Sequence, residues 1–180
     1  KMTQYKGLGY LRQKLNVKRQ RVLTRYEYYE MKNRVRDFMI STPPDLALWQ
    51  SVLGWCATAV DALADRIVFR EFEEDNFDLN EIFKMNNPDI IFDSAVLSAT
   101  ISSCCFIYIS PDEERYPRLQ VIDGSNATGI IDPITGLLEE GYAVLKRDND
   151  TGNPILEAYF TKESTRYIRR GVRMDEVAAH

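Results

Sequence analysis

The sequence predicts an α+β fold, with helices gathered in the first half and a mostly antiparallel β-meander in the second. Three observations carry that expectation. Within Thr42–Phe72, Trp49, Val52, Leu53, Cys56, Val60, Leu63 and Ile67 fall at steps of three and four, one face of an α-helix. A second helical pattern, rich in serine and alanine, opens at Pro88. From Cys104 onward, short apolar runs alternate with turns rich in Gly, Asp, Asn and Pro. The expected organisation is a basic helical arm (1–40), a helical core (41–103), an antiparallel meander (104–172) and a tail (173–180), together forming one domain.

The elements follow in order. Residues 1–9 read as a flexible lead carrying Gly7 and Gly9. From Leu11 to Met31 the pattern is helical, with Leu11, Leu15, Val22, Tyr26 and Tyr29 on one side and Arg12, Lys14, Lys18, Arg19, Arg21 and Arg25 around the rest. So thin a stripe predicts an arm lying on a surface. Met31–Pro44 is a connector. Thr42, Pro43 and Asp45 then supply the start signals of the core helix. After Ile67, the alternation of Val68, Arg70 and Phe72 predicts a strand.

An acidic loop, EFEEDNFD, follows, and Asp78 is placed to cap a short helix with Leu79, Ile82 and Phe83 inward. The helix from Pro88 would turn Ile91, Phe92, Ala95, Val96 and Ala99 to the core. Its small residues (Ser94, Ala95, Ser98, Ala99, Ser102) favour close backbone approach. The predicted strands are CCFIYIS (with Ile107 at its centre), RLQVID, TGII, LLEEGYAVLKRD, PILEAYFTK and, last, STRYIRRG. Their alternation suits a sheet with one wet face. The tail VRMDEVAAH carries no closing signal, as if cut from a longer chain.

Composition narrows the function classes. Hydrophobic residues make up 44% and charged residues 28%, ordinary values for a globular protein. There is no apolar run of membrane-spanning length and no signal-peptide pattern. The three cysteines, Cys56, Cys104 and Cys105, read as small buried hydrophobes in a reducing compartment. The net charge of −4 divides into +8 over residues 1–40, −10 over 41–116 and −2 over 117–180. A basic arm ahead of an acidic body suits contact with nucleic acid, an acidic neighbour, or the body of an adjacent copy.

Catalytic motifs are lacking. None of the nine glycines lies in a phosphate-cradling pattern, and the one histidine is the terminal His180, which leaves no Ser–His–Asp or Cys–His set and no zinc spacing. Asp61 with Asp65, and Glu73, Glu74, Asp75 and Asp78 in their loop, have the chemistry to hold magnesium, but neither set has the spacing of an ion loop. Tyr26, Tyr28 and Tyr29, beside Arg25, are the residue types of a single-strand stacking platform. On a helix, successive rings splay about 100° apart, which favours packing. No cofactor, metal or catalytic residue is expected.

The order of features resembles the portal proteins of tailed bacteriophages. RYEYYEMKN (Arg25–Asn33) is similar to the family's tyrosine-rich segment. AVDALADRIVFREF (Ala59–Phe72) is similar to its long helix ending in an alternating strand, and LNEIFKMNNPD (Leu79–Asp89) to its short helix ending in asparagine. ATISSCCFIYISPD (Ala99–Asp112) is similar to its small-residue helix running into a Y/F-I strand, and PRLQVIDGSNATGIIDPITG (Pro117–Gly136) to its strand and paired D/P turns. The likeness spans about residues 20–160. It departs from the family at the glycine usual before the Y-I strand, where this chain has Ser103 or Cys104. The family's stem, clip and crown have no counterpart, so the resemblance implies the N-terminal portion of the portal wing.

It further implies a non-enzymatic subunit of a dodecameric ring in the virion, at one capsid vertex, assembled in the host cytoplasm. Double-stranded DNA would pass through the channel. Partners would be the terminase large subunit, capsid or scaffold protein and the head–tail adaptor, with no membrane. Lys14, Lys18, Arg19, Arg21 and Arg25 are the candidate subunit, capsid or DNA contacts. Tyr26, Tyr29, Trp49, Val52, Val60, Leu63, Ile67, Phe69, Phe83 and Ile107 are the expected core and family-motif positions. The competing readings are a small nucleic-acid-binding module using the basic arm, and a carboxylate-metal nuclease built on the acidic loop.

Overall fold

A computed structural model describes residues 5–32, 54–75, 77–110 and 116–169, with the backbone of 172–179. Among the described residues the order is α1 (Leu8–Tyr29), α2 (Trp55–Ala64), α3 (Leu79–Met85), α4 (Pro88–Ser102), β1 (Cys105–Ser110), β2 (Arg118–Asp123), β3 (Ala127–Ile131), β4 (Leu138–Arg147), β5 (Pro154–Phe160), β6 (Ser164–Arg169) and β7 (Val172–Ala179). This is the α+β class expected. No helix among the described residues is long and apolar enough to cross a membrane.

Strands β1 and β2 form an antiparallel hairpin, and β3 to β7 form a five-stranded antiparallel sheet in chain order. Strand β4 explains how the layers stack. Its side chains alternate between faces, so Tyr142 and Val144 meet Leu11 and Leu15 of α1. Ala143 and Leu145 point the other way, where Ile122, Ala127, Phe106 and Phe160 lie. A strand covered on both faces reads as a continuous buried run, and residues 140–144 are all buried. The hairpin leans on the sheet through a hydrogen bond of 2.6 Å between the Tyr108 and Tyr167 hydroxyls. Around that bridge lies an apolar groove of about 550 Å³ lined by Phe106, Leu138 and Phe160, among others.

Several expectations are corrected. The basic helix is not a surface arm: Leu11, Leu15 and Val22 are its buried stripe and the most deeply buried large side chains described. Nor is its start a loose lead, since the helix begins at Leu8 and the Lys6 and Gly7 amides are held by Glu140. Helix α2 buries none of its side chains: Val60 is half-buried, Leu63 is 51% exposed, and Cys56 is exposed. Beyond it, Ile67 is 48% exposed. Trp49, Val52, Thr42 and Pro43 lie outside the described residues.

Residues 67–72 form no strand. Phe69 and Phe72 instead enter an aromatic cluster with Phe83 and Phe92, in which the Phe69 and Phe92 rings stack 4.1 Å apart. Asn80 holds this segment as a neighbouring strand would. Its Oδ1 accepts from the Phe72 N–H at 3.0 Å, and its Nδ2 donates to the Phe72 carbonyl at 3.2 Å.

Asp75, not Asp78, caps α3, its carboxylate accepting from the Leu79 and Asn80 amides. Asp78 makes no side-chain cap and sits at φ 55, in the left-handed region. In α4, Ile91 and Ala95 are buried as expected, together with Ser98, Ile101 and Ser102, while Phe92, Val96 and Ala99 are half-buried. Ile107 is 39% exposed. The tail adds an unexpected strand, β7, paired antiparallel with β6 from Ser164↔Ala179 to Arg169↔Val172.

Candidate functional site

Of the five cations singled out on the basic helix, Lys14, Lys18 and Arg25 lie along the seam where α1 crosses β3 and the α4–β1 junction. Lys14 Nζ donates to the Gly129 carbonyl at 2.7 Å. Lys18 Nζ donates to the Ala127 carbonyl at 2.8 Å and lies 5.7 Å from the Phe106 ring centre. Arg25 Nη1 donates to Ser103 Oγ at 2.6 Å and to the Ser102 carbonyl at 3.3 Å. These three cations are therefore bonded within their own chain. Arg21 is exposed, and no hydrogen bond or ion pair is found for it among the described residues. Arg19 is half-buried, with its Nε fully buried and without a hydrogen-bond partner.

The tyrosines pack rather than form a platform. Tyr26 Oη lies 3.2 Å from Ser98 Oγ of α4, and Tyr29 donates to Asp61 of α2 at 2.8 Å. Burial raises the Tyr26 hydroxyl above the ordinary tyrosine range, whereas for Tyr29 the bond to Asp61 is the main cause of its rise. Tyr28 points outward, 52% exposed.

What sequence reasoning missed is the pair of buried carboxylates under α1. Glu140 is 3% exposed and accepts from the Lys6 amide at 2.6 Å, the Gly7 amide at 2.9 Å and the Tyr159 hydroxyl at 2.8 Å. It thereby places a negative charge at the positive end of the helix dipole. Glu157, 9% exposed, accepts both arms of Arg12 (Nε at 3.2 Å, Nη2 at 2.5 Å) and the Tyr142 hydroxyl. Burial, followed by these carboxylate bonds, pushes both Tyr142 and Tyr159 up to about 12. A signal existed: Glu140 shares strand parity with Tyr142 and Val144, and Glu157 with Tyr159. An acidic residue in the inward-facing series of a strand must find a partner.

Among the described residues no three His, Cys, Asp or Glu side chains converge as metal ligands would. Of the two carboxylate sets, the acidic loop uses Asp75 as a helix cap, and in α2 Asp61 serves as an acceptor for Tyr29. No model of a known protein family matches the chain, and no curated protein matches it.

Proposed function

We propose that this chain is the N-terminal wing portion of a phage portal subunit, a structural component of a ring through which double-stranded DNA enters and leaves the capsid. The observation that carries the reading is Ser103. It joins α4 to β1 with φ 70 and ψ 1, the left-handed conformation that glycine adopts freely and other residues adopt at a cost. Glycine is what the resembled family has just before this strand. A glycine at this joint would adopt the same conformation without that cost, so the backbone here suits the residue the resembled family carries. The order helix, left-handed joint, hairpin and meander follows the order of motifs that carries the resemblance.

In a closed ring, each subunit presents two different patches to its two neighbours. The basic helix and the acidic helical body, of opposite charge, supply such a pair. Since Lys14, Lys18 and Arg25 are bonded within their own subunit, the intersubunit attraction falls chiefly on Arg21. The test is negative-stain imaging of the product of the whole reading frame containing this chain. Rings with a central channel are expected, with assembly weakened by added salt and by Arg21→Glu. Small monomeric particles from that full product would overturn the proposal.

A further inference from the structure

We propose that the pocket between α1 and the β4–β5 turn binds a phosphate oxyanion, held by Arg19 and Arg147. The pocket is a polar cleft of about 510 Å³. Three arginines line it (Arg12, Arg19 and Arg147) against one carboxylate, Glu157. That carboxylate is spoken for, since Arg12 grips both of its oxygens and Tyr142 bonds to it as well. Asp123, whose charge also reaches Arg147, points its hydrogen bonds elsewhere, accepting from the Ser125 amide and the Asn126 side chain.

Arg19 and Arg147 therefore stand side by side with no carboxylate hydrogen-bonded to either among the described residues. Burial, and then the neighbouring charge of Arg19, lower the Arg147 pKa from its ordinary value. Arg147 is held in place through Nε to Asn126 Oδ1 (2.7 Å) and Nη1 to the Gly152 carbonyl (2.9 Å). Arg19 is the anomaly: its Nε is shut off from solvent without an acceptor. With Nε sealed and unpaired, the Arg19 charge is uncompensated there, and the part of this half-buried side chain that lines the cleft is where an anion can meet it. A phosphate monoester carries about −1.5 to −2 at neutral pH and so matches two free guanidiniums, whereas one carboxylate would neutralise half. Guanidinium forks also suit phosphate geometry. Thr151 and Asn153 also line the cleft. This inference stands apart from the ring assignment.

The source of the phosphate is a small phosphate compound or a nucleic-acid backbone, and the test separates them. The guanidinium Nε–Hε resonances of the whole chain are followed by NMR while inorganic phosphate is added, with chloride at equal ionic strength as control. The Arg19 and Arg147 signals should move together and saturate, while that of exposed Arg70 stays still. Arg19→Ala should weaken phosphate binding about tenfold or more, and Arg70→Ala should leave it unchanged within about twofold. A short DNA duplex that shifts the same two signals and is displaced by phosphate identifies the backbone. A response to phosphate and a nucleoside monophosphate, but not to the duplex, identifies the small compound. Shifts that never saturate, or that Arg70 shares equally, would overturn the proposal without relying on any variant to fold.

Discussion

Replacing Glu140 with alanine tests whether a buried carboxylate seats the first helix. The change removes the acceptor of the Lys6 amide, the Gly7 amide and the Tyr159 hydroxyl. Hydrogen bonds to a charged group are worth about 1.5–3 kcal/mol each when buried. Lys6 is exposed and Gly7 and Tyr159 are half-buried, so water recovers part of that, leaving about 1 kcal/mol for each bond. Removing a buried charge also relieves desolvation, which offsets about 1 kcal/mol of the loss. The net expectation is destabilisation by about 2 kcal/mol, equivalent to a melting temperature lower by about 4–8 °C in a chain of this size. Urea titration followed by far-UV circular dichroism reads the first quantity, and a thermal scan reads the second. Amide exchange should also speed up in the first turn of α1 before it does elsewhere. An effect under about 0.5 kcal/mol, with unchanged exchange at Gly7, would refute the role given to Glu140.

Three further outcomes follow from the same geometry. Tyr142 and Tyr159 are raised in the folded state from the ordinary 10 to about 12, so their contribution is complete below pH 10 and is lost as the pH climbs through about 12. Urea midpoints should fall across that window, and Tyr142→Phe/Tyr159→Phe should flatten the fall; parallel curves would count against it. At Ser103, glycine removes the left-handed cost but also the exposed bond to Arg25, whereas alanine removes only the bond. Stability should therefore rank glycine at or above serine and serine above alanine, with a glycine–alanine gap of about 1 kcal/mol in denaturant titration. Asp75→Ala should cost about 1 kcal/mol through loss of the α3 cap, while Asp78→Asn, which keeps a residue tolerant of positive φ, should cost less than about 0.5 kcal/mol.

The meander was legible because its signals are local. Turns such as NDTGN and DPITG, and the alternation of PILEAYF, place β4, β5 and their neighbours within a residue or two. The seat of α1 was not legible, because it depends on residues more than a hundred positions away. Leu11, Leu15 and Val22 look too few for a buried stripe until Tyr142, Val144 and two buried glutamates supply the rest of the surface. The apolar face of residues 55–67 misled for the opposite reason. Periodicity reports which residues share a side, not whether anything covers it, and Leu63 and Ile67 stay half exposed. Strand β7 was missed because VRMDEVAA lacks the β-branched and aromatic density of its neighbours, and its pairing is set by β6. Of the candidate contacts, charge type was readable, but the division between bonded Lys14, Lys18 and Arg25 and unpaired Arg19 and Arg21 required the coordinates.

The bonds that seat α1 also set an order of events during synthesis. Lys6 and Glu140 are 134 residues apart, and Arg12 and Glu157 are 145. At a ribosomal pace of about 5–20 residues per second, the helix emerges and then waits about 7–29 s for those partners to exist. Throughout that interval Leu11 and Leu15 have no strand to cover them. Helix α1, translated well before the meander, is thus one of the last elements to dock fully, and the nascent chain carries an open, positively charged amphipathic helix until β5 is complete. Contacts of such long sequence separation form late and slow the final step of folding. Substitutions in the α1 stripe should then speed unfolding while leaving the early folding rate unchanged.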